Sequence, residues 1–527
     1  MSGRYRGKPI KRPANTNNAG RHSVPQPDLA VSLSTLSDQL WEQGRFDEAL
    51  AAIQKAVDIT RPLASDKPTS YAPRLAVFLN NLANYSSDAG RPEEALKAIE
   101  ETVTLLRSLA VSRPTEYNPQ LALSLNNLAK HRSGMGLDAE ALKAIEEAVG
   151  IYRPLATRRP TEFTPNLAFS LLNLSSFMFN TGRCEDGLPI IQEALGIYQK
   201  LATSKPAEYN QYLAGAFMNL SNYQSSMNQT EEALKQAQQA VRLYRDLAAS
   251  RPGVFTPTFA HSLLRLSDRL GSLGRLEEGT QQIQTALLLY RQLAASQPGS
   301  FTSGLAGCLH ALSTNQDETG RHEEAIETIE EAVKLWRKMA AQSPSAFNAD
   351  LARSLNNMSN YLCHMDRHGE ALQKIQEALA LRRKLVAEDS DAYLSDLADS
   401  LNNLYGCLSS LGREKEAKEA IKEAVDLYWR LVEKSPIYNN KLAAGLHNYS
   451  GSLAMESEYE DAAQVAREAV VLNRDLAKAA PAEFNSSLAI ALTNLWGRLN
   501  DLELHEEASA AKAEADSLNT QQPTVGT

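Results

Sequence analysis

The sequence predicts an all-α fold, a right-handed superhelical α-solenoid of about eleven helix-turn-helix repeats. Three observations predict it. A Leu-Ala-like dipeptide recurs at Leu29-Ala30, Leu75-Ala76, Leu121-Ala122, Leu167-Ala168, Leu213-Ala214, Phe259-Ala260, Leu305-Ala306, Leu351-Ala352, Leu397-Ala398, Leu442-Ala443 and Leu488-Ala489, spaced by 46 residues except for one step of 45. Close behind it stands a string such as FLNNLA (78–83), SLNNLA (124–129), SLLNLS (170–175), SLNNMS (354–359) or SLNNLY (400–405). Each copy then carries two apolar patterns of helical period parted by a glycine, and self-similarity at such a period is the mark of a repeat array.

In the third copy, LALSLNNLAKHRSGMG places Leu121, Leu125, Leu128 and Ala129 on one side of a helix of about four turns, helix A. It ends near Gly136, and the glycine recurs as Gly44, Gly90, Gly182, Gly274, Gly320 and Gly412, where a chain leaving a helix takes positive φ. AEALKAIEEAVGIYRPLA continues the period through Ala141, Ile145, Ala148, Val149, Tyr152 and Leu155 as helix B, about 20 residues and roughly 30 Å long. Acidic pairs such as Glu93-Glu94 and Glu323-Glu324 sit at its positive end. Small residues two turns apart (Ala95 and Thr102, Ala141 and Ala148, Ala325 and Ala332, Ala371 and Ala378) mark a seam of close helix approach. After helix B, SRPTEYNP (112–119) reads as a linker whose Pro stops the helix. Its aromatic recurs as Tyr71, Tyr117, Phe163, Tyr209, Phe255, Phe301, Phe347, Tyr393 and Phe484, with a regularity that favours a core anchor over a ligand-stacking platform.

Eleven copies tile residues 29–516 as one solenoid domain, between a basic tail (1–28) and a C-terminal tail (517–527), both expected to be disordered. The one deletion falls in SPIYNNKLA, expected to be a loop. In the last copy EEASAAKAEADSL puts Lys512 and Asp516 where other copies have Ile and Val, as the polar end of a solenoid requires.

The LxNLAxxxxxxGxxxEALxxxxxAL-like spacing resembles the tetratricopeptide repeat (TPR), over about 90% of the chain. About 12 residues are added to the plain repeat of about 34, expected to lengthen helix B and the Pro-aromatic linker. That longer form, with its LNNLA strings, is similar to the repeats of kinesin light chains, a resemblance that does not carry over their cargo. What the resemblance implies is a concave groove lined by helix A and a protein or peptide partner.

Composition is that of a soluble globular protein, with 43% hydrophobic and 22% charged residues. Net charge is −9; the tail before Asp28 holds six basic residues (Arg4, Arg6, Lys8, Lys11, Arg12, Arg21) and no acidic one, so −9 less +6 leaves −15 for the body, which repels nucleic acid. KPIKRP in that tail reads as a nuclear address, a nucleic-acid contact or, more simply, a solvated segment. No apolar run approaches the ~18 residues of a membrane span, so no membrane partner and a cytoplasmic location are expected. Cys184, Cys308, Cys363 and Cys407 are far apart and form no CxxC pair, which argues against a disulfide framework or zinc module. Cys363, His364 and His368 stand close together, but two His and one Cys without a second pair fall short of a metal site. No phosphate loop, dinucleotide fingerprint, HExxH or catalytic triad stands out, so no enzyme and no cofactor are expected.

Counting the Ala of each dipeptide as position 1, leucines at positions 4 and 7 face the core while positions 2, 6, 9 and 13 face away. Position 6 is Asn81, Asn127, Asn173, Asn219, Asn357, Asn403, Asn448 and Asn494 in eight of eleven copies. Asn costs ~0.6 kcal/mol against Ala in a helix, so something must compensate. The column is read as a ladder of amides for the backbone of an extended peptide, against two alternatives: bonding to the neighbouring repeat, or inheritance by duplication. The first Asn of the doublet, Asn126, falls on a flank where Leu172 and Met218 also occur. The ladder breaks at Arg265 and Ala311, and His261, Asp268, Arg269, His310 and Arg353 lie nearby. His261, Arg265, Arg269 and Arg353 are either a specificity patch for a carboxylate or a solvated charge cluster. The resulting expectation is a non-enzymatic scaffold or adaptor. The alternatives are a self-assembling structural module or, from the resemblance, the regulatory partner of a separately encoded signalling enzyme.

Overall fold

The computed structural model describes residues 26–388 and 390–520; residues 1–25, with KPIKRP, and 521–527 lie outside the described residues, while 26–28 and 517–520, expected to belong to disordered tails, are helical. The chain divides into two compact units, Met1–Thr256 and Pro257–Thr527. The first holds α1 (Gln26–Glu42), α2 (Phe46–Asp66), α3 (Pro68–Asp88), α4 (Pro92–Ser112), α5 (Pro114–Ser133), α6 (Asp138–Arg158), α7 (Pro160–Asn180), α8 (Cys184–Ser204), α9 (Pro206–Ser226) and α10 (Thr230–Ser250). The boundary lies in α11 (Pro252–Gly271). The second unit continues with α12 (Leu276–Ser296), α13 (Pro298–Glu318), α14 (His322–Ala340), α15 (Pro344–His364), α16 (His368–Glu388), α17 (Ser390–Ser410), α18 (Glu414–Lys434), α19 (Asn439–Met455), α20 (Tyr459–Ala479), α21 (Pro481–Asp501) and α22 (His505–Thr520). The fold is all-α, with eleven A–B helix pairs and no strand among the described residues.

The turn from helix A to helix B has positive φ at position 15 in every copy. Gly44, Gly90, Gly136, Gly182, Gly274, Gly320 and Gly412 occupy it seven times, and Asn228, Asp366, Ser457 and Glu503 four times. Ala95, Thr102, Ala141, Ala148, Ala325, Ala332, Ala371 and Ala378 are all fully buried, so the small-residue seam is real: no side chain bulk separates the helices there.

The linker expected at 112–119 is not a loop. Helix A begins at Pro114, and a single residue, Arg113, separates it from helix B; Lys67, Arg159, Lys205 and Gln297 do the same elsewhere. Proline at the first helical position forgoes only a donor that has no partner there, so it starts helix A rather than merely ending helix B. The aromatics lie on the first turn of helix A, where Tyr117, Phe163, Tyr209 and Phe255 are buried and Tyr71, Phe301, Phe347, Tyr393 and Phe484 half-buried. Their burial, at roughly 1.5–3 kcal/mol per large apolar side chain, offsets the hydrogen bond lost at the second proline inside the helix, Pro119 in α5 and Pro165 in α7. The extra dozen residues are therefore no linker: helix A runs to about six turns, and helix B is long as expected, 21 residues in α4 and α6. Where one residue is deleted, the first turn is replaced by a 3-10 turn (Pro436–Tyr438) and α19 shortens to 17 residues.

Candidate functional site

The position-6 asparagines face their neighbours across the stack, because helix A of one repeat touches helix A of the next at α5–α7, α7–α9, α13–α15, α15–α17 and α19–α21. Asn127 Nδ2 donates to Asn80 Oδ1 (3.0 Å), Asn173 to Asn126 (3.4 Å), Asn403 to Asn356 (3.2 Å) and Asn448 to Asn402 (2.9 Å). Asn219 donates to Ser176 Oγ (2.8 Å), Asn494 to the His447 carbonyl (3.3 Å), and Asn357 meets His310 Nε2 at 3.4 Å. A net hydrogen bond is worth about 0.5–1.5 kcal/mol, enough to cover the helix-propensity cost of Asn. The first Asn of the doublet is therefore no passive flank residue. Asn126, only 3% exposed, donates to the Ala122 carbonyl (2.8 Å) and to Ser170 Oγ (2.9 Å) while accepting from Asn173. Asn356 likewise accepts from Ser400 and Asn403.

Three clefts run beside this column. In the first unit a cavity of about 270 Å³ is lined by Val77, Asn80, Asn81, Leu123, Tyr152 and Phe163, among others. A second, lined by Ser176, Phe179, Asn180, Asn219, Asn222 and Tyr223, lies further along the same unit. In the second unit a groove of about 700 Å³ takes in Asn357, Asn402, Asn403 and Asn448 together with Tyr361, Tyr405, Asp317 and His364. Val77, at position 2, is half exposed, so the face carries apolar as well as amide groups.

The charged patch is divided. His261, Arg265 and Arg269 lie together on α11 around Asp268, and Arg265 donates to Asp268 at 3.0 Å. Arg353 lies on α15, is hydrogen-bonded to Asp350, and acts on His310 instead. Two of these four residues, Arg265 and Arg353, are thus already paired with carboxylates three residues away, and burial lowers the His261 imidazole, which favours its neutral form. Burial, reinforced by Arg353, pushes the His310 imidazole down to about 4, so the ring is neutral and its Nδ1 lies 3.0 Å from Ser354 Oγ.

Cys363, His364 and His368 do not converge with one another. Cys363 Sγ lies 3.1 Å from Cys407 Sγ of the next helix A, and His368 Nε2 lies 3.6 Å from Asp366. His364 instead meets Asp317 (Nδ1 to Oδ1, 2.9 Å), which also holds His322 Nδ1 at 2.7 Å, and the two rings are 5.1 Å apart. These three side chains come from α13, α14 and α15.

On helices B the stack carries a second column that the sequence reading missed. Arg61–Glu101, Arg107–Glu147, Arg153–Glu193, Arg291–Glu331, Arg337–Glu377, Arg383–Glu423 and Arg474–Glu514 are ion pairs exactly one structural step apart, always 40 residues in sequence. Its sequence signal is an Arg at position 32 and a Glu at position 26 of the following copy. No described helix is long and apolar enough to cross a membrane.

Tetratricopeptide-repeat models match residues 75–110 and 351–391, and a second such model matches 306–337. A model described as anaphase-promoting complex subunit 5 matches 107–156 and 202–251. Among curated proteins no sequence matches the chain. Among solved structures, BtubC (BKLC) from P. vanneervenii is 17% identical, with 56% of this chain and 95% of that one covered at a TM-score of 0.35. A putative kinesin light chain with nearly identical TPR-like repeats from Podospora anserina is 16% identical (43% and 98% covered, TM-score 0.33). Aspartyl phosphate phosphatase F from Bacillus subtilis is 14% identical (73% and 91% covered, TM-score 0.45). Repeats of this kind are generally protein-interaction scaffolds. The chain thus contains segments that match tetratricopeptide-repeat models, set in an array of helix pairs that recurs every 46 residues.

Proposed function

We propose that the chain is a non-enzymatic scaffold that holds an extended polypeptide segment against the asparagine-bearing face of helices A. The observation that carries this is that all three clefts beside helices A contain column asparagines: Asn81 and Asn219 in the first unit, Asn357, Asn403 and Asn448 in the second. Each clasp to the neighbouring repeat uses the amide nitrogen, and the amide oxygen is the group offered to a partner's backbone N–H. In the first unit Val77 and Leu123 supply apolar footing for side chains between those contacts.

Because most column asparagines also brace the stack, the test is placed on the apolar floor. Extended peptides are selected from a random displayed library against the full chain, and their binding is measured by fluorescence anisotropy. Val77→Asp and Leu123→Asp are each expected to weaken the selected peptides about tenfold or more with an unchanged melting temperature. A library that yields no saturable binder, or binders indifferent to both substitutions, overturns the proposal.

A further inference from the structure

We infer that Asp317, His322 and His364 form a binding site for a divalent transition-metal ion of the zinc class, at the edge of the second unit's groove. The inference rests on how the repeat assembles three positions. Position 12 at the end of helix A touches position 17 at the start of helix B in the same copy: Trp41 packs on Phe46 with ring centroids 4.6 Å apart, and Ser133 Oγ bonds Asp138 at 2.9 Å. Position 13 of the next helix A closes over that pair, as Asp88 does beside Trp41 and Phe46. The frame therefore makes a three-residue corner at each junction.

At other junctions within either unit the corner holds residues that cannot chelate together: Trp41, Phe46 and Asp88; Ser87, Pro92 and Gly134; Phe179, Cys184 and Ser226; Ser409, Glu414 and Met455. Among the described residues, only the corner between the seventh and eighth copies gathers three metal-ligating side chains, Asp317, His322 and His364, whose ligand atoms all lie within 4.8 Å of one another. The same frame explains why Cys363 and His368 do not join them. They occupy positions 12 and 17 of the following corner, whose third member is Ser410.

The donor set decides the metal class. Two imidazoles and one carboxylate suit zinc, cobalt, nickel or copper better than calcium or magnesium, which take oxygen. One carboxylate oxygen lies at hydrogen-bond distance from both Nδ1 atoms, 2.7 and 2.9 Å away. Ligands about 2.0–2.1 Å from a tetrahedral ion stand about 3.3 Å apart, so an ion enters by spreading the corner a few tenths of an ångström. Each ring then keeps its proton on Nε2. Asp317 is 13% exposed and His364 50%, so the site is anchored on one side and open on the other. Three protein ligands leave a fourth position for water or a donor atom from a bound partner. Asp317 and His364 both line the groove, so an ion there adds a cationic contact to a surface otherwise made of amides.

The test uses the untagged full chain after chelator treatment. Zn²⁺ is titrated calorimetrically, and Co²⁺ is followed by its visible absorption. The expected result is one ion per chain, with His322→Ala and His364→Ala each weakening binding on the order of tenfold or more, and with Cys363→Ala and His368→Ala indistinguishable from wild type. Circular dichroism confirms that every variant remains helical. No saturable binding of either ion, or binding that survives the His322→Ala/His364→Ala double variant or is lost with Cys363→Ala, overturns the assignment.

Discussion

Copies two to four of the first unit and copies seven and eight of the second share one 46-residue frame and use it differently. In the former, position 6 is Asn in all three copies, and an amide of one helix A clasps an amide of the helix before it, Asn127 on Asn80 and Asn173 on Asn126. In the latter, position 6 of the seventh copy is Ala311, the clasp to the eighth falls on an imidazole, His310, and a carboxylate with two more imidazoles gathers a few residues along. A residue that repeats is accounted for by the stack, because every copy needs the same join. Residues that break the repeat and still meet in space need another explanation, and that is where chemistry beyond folding is to be sought.

The largest expected effect under changing conditions comes from one histidine in each region, the buried His131 and the half-buried His310. His131, on α5 in the first unit, is pushed down to about 4 by burial and then by Lys130; His310 in the second is pushed down to about 4 by burial and then by Arg353. A histidine whose folded pKa is lowered binds its proton more readily when unfolded. Its stabilisation is therefore complete above about pH 6.5, is lost as pH falls toward 4, and changes no further below that. Each contributes up to about 3 kcal/mol. Hydrogen exchange between pH 6.5 and 4.5 reads the units separately: His131→Gln is expected to flatten the pH dependence in α5 and its neighbours and leave the second unit's unchanged, and His310→Asn the reverse. A slope that neither substitution alters would place the acid sensitivity elsewhere.

Next in size is the asparagine doublet. Asn126→Ala removes a buried amide that makes three hydrogen bonds and is expected to cost about 2 kcal/mol, whereas Asn127→Ala removes a single partly exposed one and is expected to cost about 1 kcal/mol or less. The same order should hold for Asn356 and Asn357. Urea unfolding of the four single variants measures it, and an Asn127 loss exceeding that of Asn126 would break the account of the doublet as an inter-repeat brace.

The period, the eleven copies, the small-residue seam and the turn glycines were legible in the sequence because each depends on residues within one helix pair. Other features were not. The Pro-aromatic segment looked like a loop because proline is weighed first as a helix breaker; that Tyr117 and Phe163 would be buried, Phe163 beside Tyr152 of the preceding repeat, in helices that run on through Pro119 and Pro165, is a fact of packing. A helical wheel also placed Asn126 on a flank and left its partners invisible, since Ser170 and Asn173 lie 44 and 47 residues away. The Asp317 corner escaped for the same reason. His364 was noticed beside Cys363 and His368, its neighbours in sequence, while its neighbours in space come 47 and 42 residues earlier.

The smallest effect sharpens the comparison from the opposite face. Arg153–Glu193 in the first unit and Arg337–Glu377 in the second are both 2.6 Å ion pairs between successive helices B, and in each the Arg side chain is 47% exposed. Exposed pairs are worth about 0.2–1 kcal/mol and are screened by salt. Double-mutant cycles to Ala are therefore expected to give similar couplings below about 1 kcal/mol in both units, falling toward zero in molar salt. Equal values would mean that the outer column is uniform and that the two regions diverge only along helices A. A markedly stronger coupling at Arg337–Glu377 would mean that the divergent copies are braced from outside, so the replacement of an amide by His310 in the clasp between the seventh and eighth copies is compensated on helices B rather than accepted as room for a different chemistry.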